Sequence, residues 1–158
     1  MTSLSPVALS LLGVLAVLLV AAAFTDVRRR DIANSLTLAI AFLAVPWWFA
    51  AGLSGSAMLW QLGAATLLFA LFAGCFFVGL MGGGDVKLIA ALALWLPLGA
   101  LADLLVWMAL AGGALTIVMM VRHRLARAEG VVEVPYGVAI VGSALLVLAN
   151  DILTTAVA

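Results

Sequence analysis

Long apolar stretches, separated by short polar or glycine-containing segments, occupy most of the 158-residue chain. A helix needs about 20 mainly apolar residues to cross the hydrocarbon core of a bilayer. The stretches predict membrane-spanning helices at residues 6–24, 35–51, 57–80, 86–96, 101–121 and 136–153. The pattern therefore predicts an all-α polytopic membrane protein with six transmembrane helices, in which residues 1–158 form a single membrane-embedded domain.

The fourth stretch is the shortest, and it could instead continue into the fifth. One helix over residues 86–121 would be about 54 Å long, whereas the hydrocarbon core is about 30 Å thick. Pro97 and Gly99 interrupt the apolar pattern between the two stretches, as residues that end helices do. Two separate helices are therefore the better prediction.

The composition indicates a lipid environment and excludes several other classes of protein. Hydrophobic residues make up 68% of the chain and charged residues 9%, whereas a soluble domain has about 25% charged residues. The net charge is zero, and no basic surface is large enough to indicate nucleic-acid binding. A single cysteine, Cys75, excludes an intrachain disulfide and a cysteine-based zinc site.

The positions of the basic residues predict the orientation in the membrane, because Lys and Arg concentrate in cytoplasmic segments. With six spans and both termini outside, every basic residue lies on or beside the cytoplasmic side. The outer segments 52–56 and 97–100 contain none. The first stretch has no basic residue before it and three arginines after it. We therefore expect it to be a retained span and not a cleaved signal peptide.

Two segments contain the residues best able to do chemistry. Residues 26–34 read DVRRRDIAN, and residues 82–87 read GGGDVK. Two spans lie between Asp26 and Asp85, so both aspartates are expected at the cytoplasmic face. Two neighbouring carboxylates tend to share one proton. The ionised one can take a proton from water while the protonated one donates to a carbonyl oxygen, which would hydrolyse a peptide bond without a metal or cofactor.

Gly82, Gly83 and Gly84 directly precede the second aspartate. Residues without a Cβ would let an extended substrate backbone approach Asp85 closely. Plainer interpretations stay open at this point. Asp85 could cap the fourth helix, the glycines could form a tight turn, and Asp26 could pair with a neighbouring arginine.

The two segments together resemble the motifs of the type IV prepilin peptidase family, the GxGD membrane aspartic proteases. The family's first motif reads D-x-R-x-x-x-I-P-N, and the chain matches it at Asp26, Arg28, Ile32 and Asn34, with Ala33 in place of the proline. The second motif reads G-x-G-D-x-K, and the chain matches it at Gly82, Gly84, Asp85 and Lys87. The segment Pro135-Tyr136-Gly137 also looks like the start of the family's C-terminal helix.

The resemblance implies that Asp26 and Asp85 are the catalytic pair and that no cofactor is needed. It implies cleavage of prepilin or pseudopilin leaders after a glycine, at the cytoplasmic face of a bacterial inner membrane. The chain is similar to the short Flp/Tad-type peptidases of tight-adherence pilus systems. It begins directly at the first span and has one cysteine, so methyltransferase activity is not expected.

The other polar residues near the motifs are open to two interpretations each. Lys87 could adjust the electrostatics of the site or contact substrate, or it could be a cytoplasmic topology charge. Arg28 belongs to an arginine cluster that mainly determines topology, with a supporting or substrate-binding role in the site as the alternative. Asn34 is expected to cap the second helix, with a role in the site as the alternative. The tryptophans, including Trp95, are expected in an interfacial aromatic belt.

Three other functions compete with prepilin-leader cleavage. The first is a related peptidase of the preflagellin type, acting on a different signal sequence. The second is a small cation-coupled transporter or channel in which Asp26 and Asp85 bind the ion. Its polar path should cross both leaflets, whereas the mid-span segments are almost free of polar residues. The third is a non-catalytic scaffold of a secretion machine.

Overall fold

The structure is a computed structural model that describes residues 5–126 and 134–157, with side chains as far as residue 152. Within these residues the protein is all-helical. The helices are α1 (Pro6–Arg29), α2 (Asn34–Ala50), α3 (Gly55–Phe77), α4 (Gly83–Ala93), α5 (Leu98–Leu125) and α6 (Tyr136–Val157). The predicted all-α class is confirmed, and α4 and α5 are separate helices as expected.

Three of these helices are long and apolar enough to cross a bilayer on their own: α1, α3 and α5. Residues Asn34–Ala50 and Tyr136–Ile152 form shorter apolar helices. The short α4, with 11 residues, is about 16 Å long at 1.5 Å per residue.

Successive helices run in alternating directions, which produces two distinct ends of the bundle. At one end, Lys87 of α4 donates a hydrogen bond to Asn34 of α2. At the other, Trp48 donates to the backbone carbonyl of Leu94, and Ser5 donates to that of Ala50. We call the end with Lys87 and Asn34 the aspartate end, because Asp26 and Asp85 lie there too, and the opposite end the far end.

Helix α4 is the centre of the bundle, packed among α2, α3 and α6. Among residues 83–93, Lys87 alone is exposed. Leu88, Ile89 and Leu92 are fully buried. This helix is apolar on nearly every face, which is typical of a helix enclosed by protein. It ends before Pro97, which caps the start of α5. The position of α4 therefore fixes Asp85 in the middle of the fold.

Trp95 belongs to the core and not to an interfacial belt, so that expectation was wrong for this residue. It is 2% exposed, its indole N–H donates to the carbonyl of Ile40 at 3.0 Å, and its ring stacks on Trp47 with centroids 5.6 Å apart. Because α4 ends at Ala93, the residues that follow it pack against α2, and Trp95 is covered by protein. Trp60, in contrast, is 78% exposed.

Replacing Trp95 by phenylalanine should lower the free energy of unfolding by about 1 to 2 kcal/mol, because the buried indole hydrogen bond is lost. The matched control is Trp60→Phe, which should change stability by no more than about 0.5 kcal/mol. Thermal unfolding of the purified variants in detergent measures both. Equal losses for the two variants would contradict the buried position of Trp95.

Some helices extend beyond the predicted apolar stretches, because polar residues continue the helix. Helix α1 extends to Arg29, so Asp26 lies in its last turn and not in a loop. Arg30 then closes the helix in the left-handed conformation, with φ of 53°. The connection between α5 and α6, with Arg127, lies mostly outside the described residues.

Candidate active site

Asp26 is buried between the end of α1 and the start of α6, with 6% of its surface exposed. The backbone amides of Gly137 and Val138 point toward its carboxylate. A Cβ at Gly137 would lie 2.8 Å from Asp26 Oδ2 and 2.9 Å from its Cγ. Glycine is therefore the residue that lets α6 approach this carboxylate. Oδ2 itself is buried without a well-formed hydrogen bond to the described residues.

Asp85 is held at the first turn of α4. Gly82 is the N-cap of this helix, and the Asp85 carboxylate turns back toward the Gly82 amide. A carboxylate at the third helical position commonly caps the N-cap amide in this way. The capping interpretation and the site interpretation of Asp85 are thus compatible, because the cap orients the carboxylate. Asp85 is buried, with 8% of its surface exposed.

Both aspartates line one cavity of about 770 Å³ at the aspartate end of the bundle. Their carboxylates are near enough to interact electrostatically. The cavity wall also includes residues of α3 and α5, of the α3–α4 loop, just after α1, and at or just before the start of α6: Arg30, Phe72, Cys75, Gly79, Leu80, Met81, Gly82, Met108, Thr116, Val134 and Tyr136. Two carboxylates on a cavity of this size can share a proton and activate a water next to an extended peptide.

The three glycines before Asp85 have different neighbours. Gly82 lines the cavity, and a Cβ there would lie 3.1 Å from Asp85 Oδ2. Gly83 packs against the ring of Phe76, and Gly84 packs against Ile32, where a Cβ would come within 3.0 Å of the Ile32 Cβ. Gly82 is therefore the glycine of this triplet placed to face a substrate, while the other two permit close helix packing.

The remaining motif residues lie outside the cavity wall. Arg28 is exposed, and its guanidinium carbon lies 4.5 Å from the centroid of the Phe24 ring. Lys87 is exposed and donates to Asn34 Oδ1 at 2.8 Å. Asn34 is not the cap of α2, so that prediction was wrong. Ala33 occupies the N-cap without a side-chain hydrogen bond, and the Asn34 side chain instead accepts from Lys87.

The Lys87–Asn34 hydrogen bond should contribute only modestly to stability, because both side chains are exposed. We expect Lys87→Met and Asn34→Ala each to lower the free energy of unfolding by less than about 1 kcal/mol. The double variant should lose less than the sum, with a coupling of about 0.5 kcal/mol. Thermal unfolding of all four proteins measures this coupling, and strict additivity would mean that the pair does not interact.

The structure adds site residues that the sequence interpretation did not single out. Tyr136 lines the cavity, donates to the carbonyl of Met108 at 3.2 Å, and interacts electrostatically with Asp85. A Cβ at Gly112 would overlap the Tyr136 ring. Arg30 and Cys75 also reach the cavity. The one sequence signal for this region was the segment Pro135-Tyr136-Gly137.

Metal binding has little support in the part of the chain that the structure describes. These residues contain no cluster of three or more His, Cys, Asp or Glu side chains. Asp26 and Asp85 are the two carboxylates among the described residues that line this cavity.

Comparison with known proteins agrees with this arrangement. A sequence model of the type IV leader peptidase family matches residues 13–117. The match covers about two thirds of the 158-residue chain and includes both aspartates. No match to this chain was found among curated proteins or among solved structures.

Proposed function

Since this chain belongs to the type IV leader peptidase family, we propose that it is a membrane aspartic endopeptidase that removes the leader peptides of type IV prepilins. Asp26 and Asp85 are its catalytic pair. The substrates are prepilins or pseudopilins of the Flp type, cleaved after a glycine at the cytoplasmic face.

The observation that supports this proposal best is the meeting of the two aspartates at one cavity. They are 59 positions apart in the sequence, yet both line the same wall and interact electrostatically. Ionisable side chains inside a membrane protein are costly and are retained mainly for function. Both are at least nine-tenths buried, without an arginine or lysine ion pair among the described residues.

The proposed reaction is direct attack of water on the scissile carbonyl. The ionised carboxylate takes one proton from water, and the resulting hydroxide oxygen bonds to the carbonyl carbon. The protonated carboxyl gives its proton to the carbonyl oxygen. The tetrahedral diol then breaks its C–N bond. The leaving nitrogen takes the proton from the first aspartate, and one hydroxyl of the diol returns its proton to the second aspartate as the C=O bond re-forms, which restores the pair. Because the pair exchanges protons within one cycle, its apparent pKa values belong to both groups together.

We further propose that all six helices cross a bacterial inner membrane, with both termini outside. The described basic residues support this orientation, because they all lie toward the aspartate end: Arg28, Arg29, Arg30, Lys87, Arg122 and Arg124. The connections at the far end, residues 51–54 and 94–97, contain no basic residue. By the positive-inside rule the aspartate end then faces the cytoplasm.

The ion-transport alternative is weaker, because the core beyond the aspartates is mainly apolar, with Thr37, Gln61 and Ser143 as its buried polar side chains. Toward the far end, Leu88 and Leu92 of α4 and then Leu96, which follows the helix, are all buried. A continuous polar path through both leaflets would have to pass these side chains. A peptidase needs access from one side only, which suits a cavity at one end of the bundle.

The test is a cleavage assay with the purified protein in liposomes. The substrates are a prepilin with a short basic leader and a glycine before its apolar helix, and an archaeal preflagellin. Mass spectrometry should find a single cut after the glycine of the prepilin. Preferential cleavage of the preflagellin would favour the related peptidase, and proton or sodium flux without cleavage would favour the transporter.

A further inference from the structure

The cavity at the aspartate end lies between two helices that do not pack on each other. Helix α3 packs on α4, and α5 packs on α6, but among the described residues α3 and α5 make no extended contact. Phe72 and Cys75 of α3 line one side of the cavity, and Met108 and Thr116 of α5 line the other. We call the space between these four residues the α3–α5 cleft.

Among the described residues, the halves of α3 and α5 nearest the aspartate end are less buried than the rest of these helices. No residue of α3 after Leu68 is buried, and no residue of α5 after Gly112 is buried. Their exposed side chains are largely apolar, as with Phe77 at 83% and Ile117 at 65% exposure. In a bilayer, the cleft therefore faces the hydrocarbon region sideways while its floor contains the aspartates.

We propose that the α3–α5 cleft binds the apolar helix of the substrate, which enters sideways from the lipid. This inference rests on the proposed function and names where its substrate docks. The scissile glycine then lies at Asp26 and Asp85, and the first turns of the apolar helix pack between Phe72 and Met108.

The size of the cleft agrees with a helical occupant. A helix with its side chains is about 10 to 12 Å wide and rises 1.5 Å per residue. The whole cavity, with its space beside the aspartates, has a volume of about 770 Å³, so the cleft accommodates at most roughly five residues of such a helix. The rest of an apolar segment of about 20 residues would extend from the cleft into the surrounding lipid, away from the exposed side chains Ala70 and Ile117. The cleft is continuous with the catalytic cavity, which favours the substrate over a bound lipid or a second copy of the chain.

Cys75 allows a direct test, because it is the one cysteine of the chain and it lines the cleft. The enzyme is the Asp85→Asn variant in liposomes, which should retain substrate without cutting it. The probe is a prepilin with a basic leader, a glycine and an apolar segment of about 20 residues, with single cysteines placed along that segment. Oxidation should form disulfides with Cys75 at positions three or four residues apart, since those share one helix face.

The matched control moves the cysteine to the opposite face of α3, in the variant Cys75→Ser with Ala70→Cys. Ala70 is exposed and does not line the cavity. A disulfide requires Cα atoms within about 7 Å, so this variant should form no periodic disulfides with the probe. Equal cross-linking at both positions, or Cys75–Cys75 dimers that persist when the probe is added, would overturn the proposal.

Filling the cleft gives a second, kinetic test in the active enzyme. Thr116→Trp should raise KM for the prepilin about tenfold or more, the scale on which an apolar pocket rejects a poorly fitting group. Ile117→Trp, on the neighbouring lipid-facing side, should change KM by no more than about twofold. An unchanged KM in Thr116→Trp would contradict docking in the cleft.

The two proposals fail separately. If the wild-type protein cleaves the prepilin but no cross-link forms at Cys75, the proposed peptidase function stands and docking in the cleft is refuted. If periodic cross-links form at Cys75 but the wild-type protein cleaves nothing, docking in the cleft is supported and the proposed peptidase function is refuted.

Discussion

Replacing Asp85 by asparagine is expected to lower the rate of prepilin cleavage by at least about 10³-fold, within the range that acid–base groups contribute. Asparagine has nearly the same shape but can neither take a proton from water nor supply one to the carbonyl oxygen. It can still accept from the Gly82 amide through its carbonyl oxygen, so the first turn of α4 should stay formed. Cleavage of the prepilin in liposomes, followed by gel or mass spectrometry, measures the loss.

Asp26→Asn should be equally damaging, and the double variant should be little worse than either single one, because residues that act as a unit are strongly non-additive. Asp103→Asn is the matched control, since Asp103 is an exposed aspartate near the far end of α5 and should cleave at the wild-type rate. If Asp26→Asn or Asp85→Asn folds normally and still cleaves at that rate, the catalytic pair is refuted.

Replacing Gly137 by alanine should reduce kcat by about 10²-fold, the cost of displacing a catalytic group by about 1 Å. The added methyl group would lie 2.8 Å from Asp26 Oδ2 and 3.0 Å from the Ile32 Cδ1. Because the carboxylate is buried at this contact, it must move or α6 must shift away. Stability should fall as well, by about 1 to 3 kcal/mol, as in other overpacked cores.

The control for this variant is Gly142→Ala in the same helix. A Cβ at Gly142 meets nothing within 4 Å, so activity should be unchanged and the helix slightly favoured, by up to about 1 kcal/mol. Comparing kcat and KM separates the two effects, because Gly137→Ala should act mainly on kcat. A normal kcat in a folded Gly137→Ala protein would show that α6 does not position Asp26.

Much of the fold was predictable because a bilayer permits only a few kinds of secondary structure. Backbone groups in lipid must be paired internally, so each apolar stretch had to form a helix, and Pro97 marked the break between α4 and α5. The helix ends were harder to predict, since Asp26 and the three residues after it continue α1 beyond its apolar part. Asn34 was assigned as a cap from its residue type, but its partner Lys87 is 53 positions away.

The candidate site was predictable as far as charge and topology determine it. An even number of spans between Asp26 and Asp85 brought them to one end. The contacts around the two aspartates depend on packing between helices that are distant in the sequence. Such packing does not change the periodicity of apolar residues within a helix, so the sequence pattern does not predict it. Gly137 facing Asp26 and the Tyr136 ring against Gly112 are contacts of this kind. The same reason explains why Trp95 was expected at the membrane interface and is in fact buried.

Because other helices enclose α4, the position of Asp85 should depend little on the thickness of the bilayer. A membrane whose thickness does not match a protein is accommodated by tilting the helices that touch lipid. Those helices include α1, α3 and α5, whose outer faces are widely exposed, while α4 is surrounded by its neighbours. Hydrophobic mismatch would therefore change the spacing of the outer helices before it moved Asp85. Asp85 is therefore less sensitive to differences in membrane thickness than an apolar segment that lies directly in the lipid.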